Sequence, residues 1–469
     1  MEGQVHREPA EADRGQERAA DQKPRVLLLS TYDMGRQPFG LASPAAWLTE
    51  AGADVACVDL SRQKLAADVA RAATLIAFFL PMHTATRLAL PVIDRVRQLN
   101  PGARIVAYGL YAPLNAELLR ERGVHDILDG EFEAALVKAV KSPRRAAEPP
   151  ASSVARLVFK PPLRDGLPAL AKYAGLQVGA ERKVVGYTEA SRGCKHRCRH
   201  CPIVPVYNGT FRIVSPDVVL ADARAQIDAG ATHITFGDPD FFNGIRHARE
   251  VMTRFGSAFP GVTYDVTIKI EHLLKHADAL PLLRETGCAF VTSAVESIED
   301  RVLDYLQKGH TRADFERAVA MCAEVGLPLA PTFVTFTPWT TIESYLDLLH
   351  TLDRLGLVEH VAPIQLAIRL LVTDKSRLLE LHDIRTLIGR YDPVSLTYPW
   401  RHPDPRVDAL HATVSKIVGV KVGESRRTVF DRVWDAAHAH AGAQPPSRRA
   451  LPVLPSRATV PYLTEPWYC

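Results

Sequence analysis

The chain has 469 residues, of which 47% are hydrophobic and 23% charged, and its formal net charge at pH 7 is +4. Its length allows roughly two to four domains and a large core. Lys and Arg are scattered and form no basic stripe, so the composition argues against nucleic-acid binding. The longest apolar run, Ala72 to Leu80, is too short to span a bilayer, and we expect no membrane segment.

The cellular compartment is indicated by the N-terminus and by the cysteines. No hydrophobic stretch of a secretory signal is present near the N-terminus. Three of the seven cysteines are clustered, which indicates metal ligation in a reducing cytoplasm rather than disulfides. We therefore expect a cytoplasmic protein. Residues 1–24 contain almost no large apolar side chains and are predicted to be disordered.

Residues 25–142 alternate short apolar strands with amphipathic helices. This pattern predicts a doubly wound parallel sheet, whose ligands lie beyond the carboxyl ends of the strands. We predict strands at Pro24–Thr31, Asp54–Val58, Leu75–Phe79, Arg104–Tyr108 and His125–Leu128. Helices are predicted at Ser43–Ala51, Thr84–Leu99 and Leu114–Arg122. The following segment, 143–182, is rich in proline and is predicted to be a linker that packs partly as a strap.

Residues 183–375 repeat a strand-helix unit about six times, which predicts an α/β barrel. The predicted strands are Val184–Glu189, His233–Phe236, Thr263–Ile270, Phe290–Val295, Leu329–Thr335 and Ile364–Leu371. The predicted helices are Pro216–Ala229, Ile245–Phe255, Leu273–Thr286, Ala313–Val325 and Ile342–Leu355. Residues 376–440 are predicted to form a helical extension, and 441–469 a flexible tail.

Three cysteines follow the first predicted barrel strand with the spacing CxxxCxxC: Cys194, Cys198 and Cys201. Three thiolates are one ligand short of enclosing a four-iron cluster, and a metal centre with an open position can activate a small molecule. Structural zinc is an alternative, because His196 and His200 lie inside the motif. A fully ligated iron–sulfur cluster is another.

This motif, at the exit of a barrel strand, resembles the signature of radical S-adenosylmethionine (SAM) enzymes. The resemblance implies an open (β/α)6 barrel, a [4Fe-4S] cluster and SAM bound to its fourth iron. It also implies reductive cleavage of SAM to a 5′-deoxyadenosyl radical, with an electron donor such as flavodoxin or ferredoxin. The substrate, a small molecule or a peptide, is not indicated.

The N-terminal domain resembles the cobalamin-binding domain that precedes many radical SAM barrels, and Gly130-Glu131 adds to the likeness. That family's Asp-x-His-x-x-Gly signature is missing, since Tyr32 to Arg36 contain no histidine for cobalt. Both a cobalamin site and a domain that serves only structure or substrate docking therefore stay open.

Four residues are implied to contact SAM by the resemblance. Gly237 and Asp238 follow the second strand, where the resembled fold binds the amino group of SAM. Glu296 and Ser297 begin a run similar to the family's Glu-Ser…Lys-Gly-x-Thr, which lies near the ribose and carboxylate of SAM. An ordinary turn at Asp238 and a helix N-cap at Ser297 are the structural alternatives.

Two cationic residues are candidates because strand alternation places them on the polar face. Lys269 shares a face with Glu271 on the third strand, and Arg369 shares one with Gln365 on the sixth. Either cation could meet the SAM carboxylate. A surface charge pair for Lys269 and a buried acidic partner for Arg369 are the alternatives.

The C-terminal residues Leu463 to Cys469 resemble the tail of a radical SAM family that ends in Cys-Cys-Ala-Glu-Pro or Cys-selenocysteine-Ala-Glu-Pro. We expect that this sequence is truncated just before a selenocysteine, whose UGA codon is read as a stop. Overall, we predict a radical SAM enzyme. The alternatives are a cobalamin-dependent radical SAM methyltransferase and a non-catalytic zinc or iron–sulfur protein.

Overall fold

The computed structural model describes residues 23–142, 154, 156–419, 424–446 and 462–463. The predictions for the first 22 residues, for the start of the linker and for Cys469 lie outside these residues. Among the described helices, none combines the length and the apolar content needed to cross a membrane.

The N-terminal unit is a five-stranded parallel sheet with helices on both faces. The strands lie in the order β2-β1-β3-β4-β5, and apolar clusters cover both faces of the sheet. The strands are β1 Arg25–Ser30, β2 Asp54–Asp59, β3 Leu75–Phe79, β4 Arg104–Tyr108 and β5 Asp126–Leu128. The helices are α1 Phe39–Glu50, α2 Ala67–Ala72, α3 His83–Leu99, α4 Tyr111–Leu114, α5 Ala116–Glu121 and α6 Glu133–Lys141. The predicted doubly wound arrangement is therefore confirmed.

The second sheet is a curled half-barrel. Five of its strands are parallel and lie in the order β13-β12-β11-β10-β7, and β6 extends the edge beside β7 in antiparallel orientation. Its strands are β6 Gly175–Val178, β7 Glu181–Thr188, β10 His233–Phe236, β11 Thr263–Thr267, β12 Cys288–Glu296, β13 Leu329–Phe333 and β14 Tyr462–Leu463. The last of these pairs antiparallel with β6. A separate hairpin is formed by β8 Ser191–Gly193 and β9 Phe211–Ile213.

Helices cover the outer face of the half-barrel. They are α7 Val204–Tyr207, α8 Pro216–Asp228, α9 Ile245–Ala258, α10 Ile270–Lys275, α11 Leu280–Glu285, α12 Asp300–Leu306, α13 Arg312–Glu324 and α14 Ile342–Arg354. The helical extension contains α15 His382–Leu387, α16 Pro405–Gly419 and α17 Arg426–His440. Short 3-10 turns occur at Leu170–Lys172, Phe241–Gly244, Ala277–Ala279, Pro363–Leu366 and Arg377–Glu380. The predicted α/β fold class is confirmed.

Two predictions about the barrel are wrong in detail. The sixth strand, expected over Ile364–Leu371, is a 3-10 turn followed by a single parallel bridge between Phe336 and Arg369. Pro363 is the first residue of this turn, a position where its missing N–H costs no hydrogen bond. The third strand ends at Thr267 rather than Ile270, because Ile270 is already the first residue of α10.

A cluster of buried charges joins the two sheets. The Arg192 guanidinium lies 3.0 Å from Glu131 and 2.7 Å from Glu133 of the N-terminal unit. It also lies 2.8 Å from Glu189, which follows β7. The side chain of Ser43 donates to Glu133 at 2.6 Å. Because Arg192 belongs to β8, this cluster attaches the strand before the cysteine motif to the N-terminal unit.

Arg164 makes a second connection between the sheets. It pairs with Asp222 of α8 at 2.7 Å, donates to the Gln37 side chain at 2.8 Å and donates to the Tyr187 carbonyl at 2.7 Å. The described part of the linker that contains Arg164 therefore packs across both units, as a strap does.

Replacing Arg192 by methionine should destabilise the protein by about 3–5 kcal/mol, because it leaves buried carboxylates without their cation. The measurement is the urea midpoint of the cluster-free protein. Arg254→Gln is the control: Arg254 forms an exposed pair with Asp217, so its loss should leave the midpoint unchanged. Equal midpoints for Arg192→Met and the control would contradict the role given to this cluster.

Candidate active site

The three cysteines lie on a loop whose two ends are fixed by the β8–β9 hairpin. Gly193, the last residue of β8, has a φ of +74°, and a Cβ there would lie 2.4 Å from the Tyr207 ring and 2.6 Å from the Thr210 carbonyl. Only glycine fits this position without strain. Cys194 and Cys198 are buried and Cys201 is partly buried, and all three are free thiols. The hairpin therefore presents three unpaired thiols at the barrel mouth.

Burial makes the thiol forms of two of these cysteines more stable. It raises the pKa of Cys194, and it raises the pKa of Cys201 to about 12. A cationic metal centre offsets this cost, because it favours the thiolate. Three thiols on one loop are one ligand short of the four that enclose a [4Fe-4S] cluster.

Asp238 anchors the start of the loop. One carboxylate oxygen accepts from the Ala190 N–H at 2.9 Å, and the other accepts from the Ser191 hydroxyl at 2.5 Å. Burial raises the pKa of Asp238 to about 7, although these hydrogen bonds oppose the rise. Gly237 lies against Tyr187, where a Cβ would come within 1.7 Å of the hydroxyl. Asp238 is therefore a positioning residue for the loop, and its contact with SAM stays a prediction.

Glu296 lies at the centre of a buried ion triad. Its carboxylate is 3.1 Å from His200 Nε2 and 3.3 Å from the Lys308 ammonium. Burial alone would raise the pKa of Glu296, but Lys308 and His200 lower it to about 2. Its φ of +70° coincides with a register shift between β12 and β13. The triad links the end of β12 to the cysteine loop, since His200 directly precedes Cys201.

Lys308 faces the same loop. Burial lowers its pKa, but Glu296, Cys198 and Cys201 raise it by a larger amount, so the ammonium stays charged beside two of the thiols.

The Ser297 hydroxyl accepts from the Glu299 N–H at 3.0 Å. The predicted N-cap at Ser297 is wrong, because α12 begins after Glu299.

The structure treats the two candidate cations differently. Lys269 is buried at the start of α10, and its ammonium lies 3.6 Å from Glu271. Arg369 pairs with Asp408 at 2.8 Å, donates to the Trp400 carbonyl and stacks on the Trp400 ring at 3.7 Å. Arg369 therefore has an acidic partner, as the alternative interpretation expected. It does not lie on a sixth barrel strand, because that strand is absent.

The sequence analysis did not identify the contacts that Arg192, His200 and Lys308 make at the site. Lys308 lies in the Lys-Gly-x-Thr run and His200 lies in the cysteine motif, so both positions could have been proposed as site residues. Their contact with Glu296 depends on two loops that are distant in sequence. No local pattern reveals such a contact.

A cavity of about 220 Å³ lies where the carboxyl ends of both sheets meet. The N-terminal unit contributes residues that follow β1, β3 and β4, and the barrel contributes the ends of β7 and β10. The cysteine loop forms part of the wall through Ser191, Gly193, Ile203 and Tyr207. The cavity therefore borders both the cysteine loop and the N-terminal sheet.

Comparison with known proteins assigns this arrangement to a superfamily. Residues 188–355 match the profile of the radical SAM superfamily, and this stretch contains the three cysteines, Asp238 and the Glu296 triad. Residues 188–355 are a radical SAM domain. The prediction of this family is confirmed, and with it the cofactors that the domain implies, a [4Fe-4S] cluster and SAM.

Curated relatives are distant. The chain is 28% identical to the tRNA-2-methylthio-N(6)-dimethylallyladenosine synthase of Chlorobaculum tepidum over 157 residues, which are 32% of this chain and 35% of the synthase. It is 22% identical to the hopanoid C-3 methylase of Methylococcus capsulatus over 67% of this chain and 64% of the methylase. The matches thus span less than two thirds of either relative.

Solved structures share the fold. The radical SAM methyltransferase TsrM from Kitasatospora setae, with cobalamin and a [4Fe-4S] cluster bound, superposes with a TM-score of 0.57 at 18% identity, covering 71% of each chain. The cobalamin-dependent SAM radical enzyme OxsB, with aqua-cobalamin bound, superposes with a TM-score of 0.65 at 14% identity, covering 89% of this chain and 72% of OxsB. The N-terminal unit is thus similar in fold to the corresponding part of cobalamin-dependent radical SAM enzymes.

The Asp238→Asn variant should have a flatter dependence of stability on pH. Between about pH 4 and pH 7 the folded protein holds the Asp238 proton and the unfolded chain releases it, so wild-type stability falls as pH rises. The variant should lose this component, which amounts to at most about 1.4 kcal/mol per pH unit.

The measurement is the urea midpoint of the cluster-free protein at pH 5, 6 and 7. The matched control is Asp228→Asn at the exposed end of α8, which should follow the wild-type profile. Parallel profiles for wild type and Asp238→Asn would show that the buried carboxyl does not titrate in this range.

Proposed function

We propose that the protein is a radical SAM enzyme that binds a [4Fe-4S] cluster through Cys194, Cys198 and Cys201. The observation that carries the proposal is the set of three free thiols on one loop of the stretch that matches the radical SAM profile. When such a cluster is bound and reduced, it supplies the electron that cleaves SAM to a 5′-deoxyadenosyl radical. The match to the radical SAM profile favours this proposal over a non-catalytic zinc protein.

The protein's own residues hold this site in three ways. Asp238 and Arg192 fix the strand that precedes the cysteines. The Lys308 ammonium is a buried positive charge near Cys201 and favours its thiolate form. Glu296 pairs with Lys308 and contacts His200. The site is thereby organised before any cofactor binds.

The substrate is proposed to occupy the cavity between the two sheets. It borders the cysteine loop, and it is lined by charged side chains of both units, Asp33, Arg36, Glu189 and Arg192. Enclosure between two packed units excludes water from the reacting atoms. Gly237, Glu296, Ser297 and Lys269 are proposed to contact SAM on the barrel side, and an electron donor such as flavodoxin or ferredoxin is the proposed reductant.

The Cys198→Ala variant should lose 5′-deoxyadenosine formation entirely, because two thiolates cannot hold the cluster. The assay is anaerobic reconstitution with iron and sulfide, followed by reduction with SAM present and chromatography of the products. Cys322→Ala is the matched control, since Cys322 is equally buried but packs in the hydrophobic core. Product from Cys198→Ala at the wild-type rate would refute the proposed ligand set.

A second candidate is a cobalamin-dependent radical SAM methyltransferase, favoured by the fold of the N-terminal unit and by the position of the cavity at the carboxyl ends of its strands. Among the described residues that line this cavity there is no histidine to serve as a cobalt ligand.

The two candidates differ in their need for a corrinoid. The first candidate predicts that protein reconstituted without cobalamin cleaves SAM. It also predicts that protein incubated with hydroxocobalamin and passed through gel filtration shows no corrinoid absorption. The second predicts a stoichiometric corrinoid spectrum and methyl transfer. Retention of one corrinoid per chain would replace the first candidate by the second.

A further inference from the structure

A second group of metal-type ligands lies beside the cysteine loop. The side chains of His196, Asp240 and His272 offer one ligand atom each, and these atoms all lie within 4.8 Å of one another. We propose that these three residues bind a single divalent transition-metal ion, separate from the iron–sulfur cluster. The inference does not depend on the proposed function, because it rests on different side chains.

The three ligands come from three separate elements. His196 lies in the loop between Cys194 and Cys198, Asp240 lies in the loop that follows β10, and His272 lies in the first turn of α10. His196 Nε2 is 3.5 Å from Asp240 Oδ2, and His272 Nδ1 is 2.6 Å from the same oxygen. The fold thus brings together two imidazoles and a carboxylate that are distant in sequence.

Asp240 Oδ2 faces His196 Nε2 and His272 Nδ1, but neither contact has the geometry of a hydrogen bond. The other ring nitrogen of His272, Nε2, is buried without a hydrogen-bond partner among the described residues. His272 is 1% exposed and Asp240 is fully buried. A buried polar group without a partner costs about 1–3 kcal/mol. Three ligand atoms, one from each residue, surround one point, and an ion that accepts their lone pairs accounts for them.

The donor set indicates the class of ion. Two imidazole nitrogens and one carboxylate oxygen suit zinc and iron(II). Zinc bonds of about 2.0–2.2 Å place tetrahedral ligand atoms about 3.3 Å apart, close to the separation of His196 and Asp240. The shorter contact between His272 and Asp240 must open by several tenths of an ångström, which a rotation of the carboxylate allows.

Glu271 supplies a further feature of metal sites. Its Oε2 lies 3.5 Å from Nδ1 of His196, on the opposite side of the ring from Asp240. A carboxylate in this position accepts the N–H of a metal-bound histidine and directs the other nitrogen to the ion. The ion would then connect the cysteine loop to the ends of β10 and β11.

The test is zinc binding by the full-length protein with its iron–sulfur cluster reconstituted. Equimolar Zn²⁺ is added anaerobically, followed by gel filtration, metal analysis and zinc X-ray absorption. We expect one zinc per chain beside an undiminished iron content, with only nitrogen and oxygen scatterers at about 2.0–2.2 Å. Asp240→Asn and His272→Gln should each weaken zinc binding on the order of 100-fold or more.

The matched control is His233→Gln. His233 is as buried as His272 and also faces a carboxylate, but its nitrogens are hydrogen-bonded to Thr263 and Asp265, so zinc binding should not change. The iron content of every variant reports whether its cysteine loop is still folded. If wild-type protein retains no zinc, the group is only a buried His–Asp contact and the proposal fails. Sulfur scatterers near 2.3 Å, or equal retention by Asp240→Asn, would also overturn it.

Discussion

Arg192 lies between the two sheets, where its buried guanidinium contacts carboxylates of both. Breaking a buried ion pair is costly because the remaining charges stay in a medium that solvates them poorly. Two residues further along the chain the cysteine motif begins, so the strand that delivers the thiols cannot shift without disrupting this cluster. Asp238 fixes the same strand from the barrel side through Ala190 and Ser191. The geometry of the metal loop therefore depends on buried charge at its entrance.

Buried charge also organises the far end of the loop. Glu296, His200 and Lys308 form a set in which every ionised group has a partner, and this accounts for the low pKa of Glu296 in a buried position. Lys308 adds a positive charge near Cys201, a thiol whose burial raises its pKa. These opposing effects suit a loop whose thiols must become thiolates when metal binds. The barrel thus prepares the ligands electrostatically as well as sterically.

Local patterns in the sequence predicted much of this structure. β3, β4 and β10 have the predicted limits, because their apolar runs are short and bounded by clear breaks. The cysteine motif indicated the superfamily, since its spacing is itself the functional feature. Arg369 was misplaced because the helical extension, which no periodicity connects to the barrel, supplies its partner Asp408. The interface at Arg192 likewise joins residues about 60 positions apart, which only the folded chain brings together.

The central claim is that three cysteines hold a cluster with one iron open to SAM. Mössbauer spectroscopy of the reconstituted protein tests it directly, with spectra recorded before and after SAM is added. The account predicts that one of the four irons changes its isomer shift and quadrupole splitting when SAM binds, while the other three do not. Four equivalent irons that SAM leaves unchanged would show a fully ligated cluster and contradict the account.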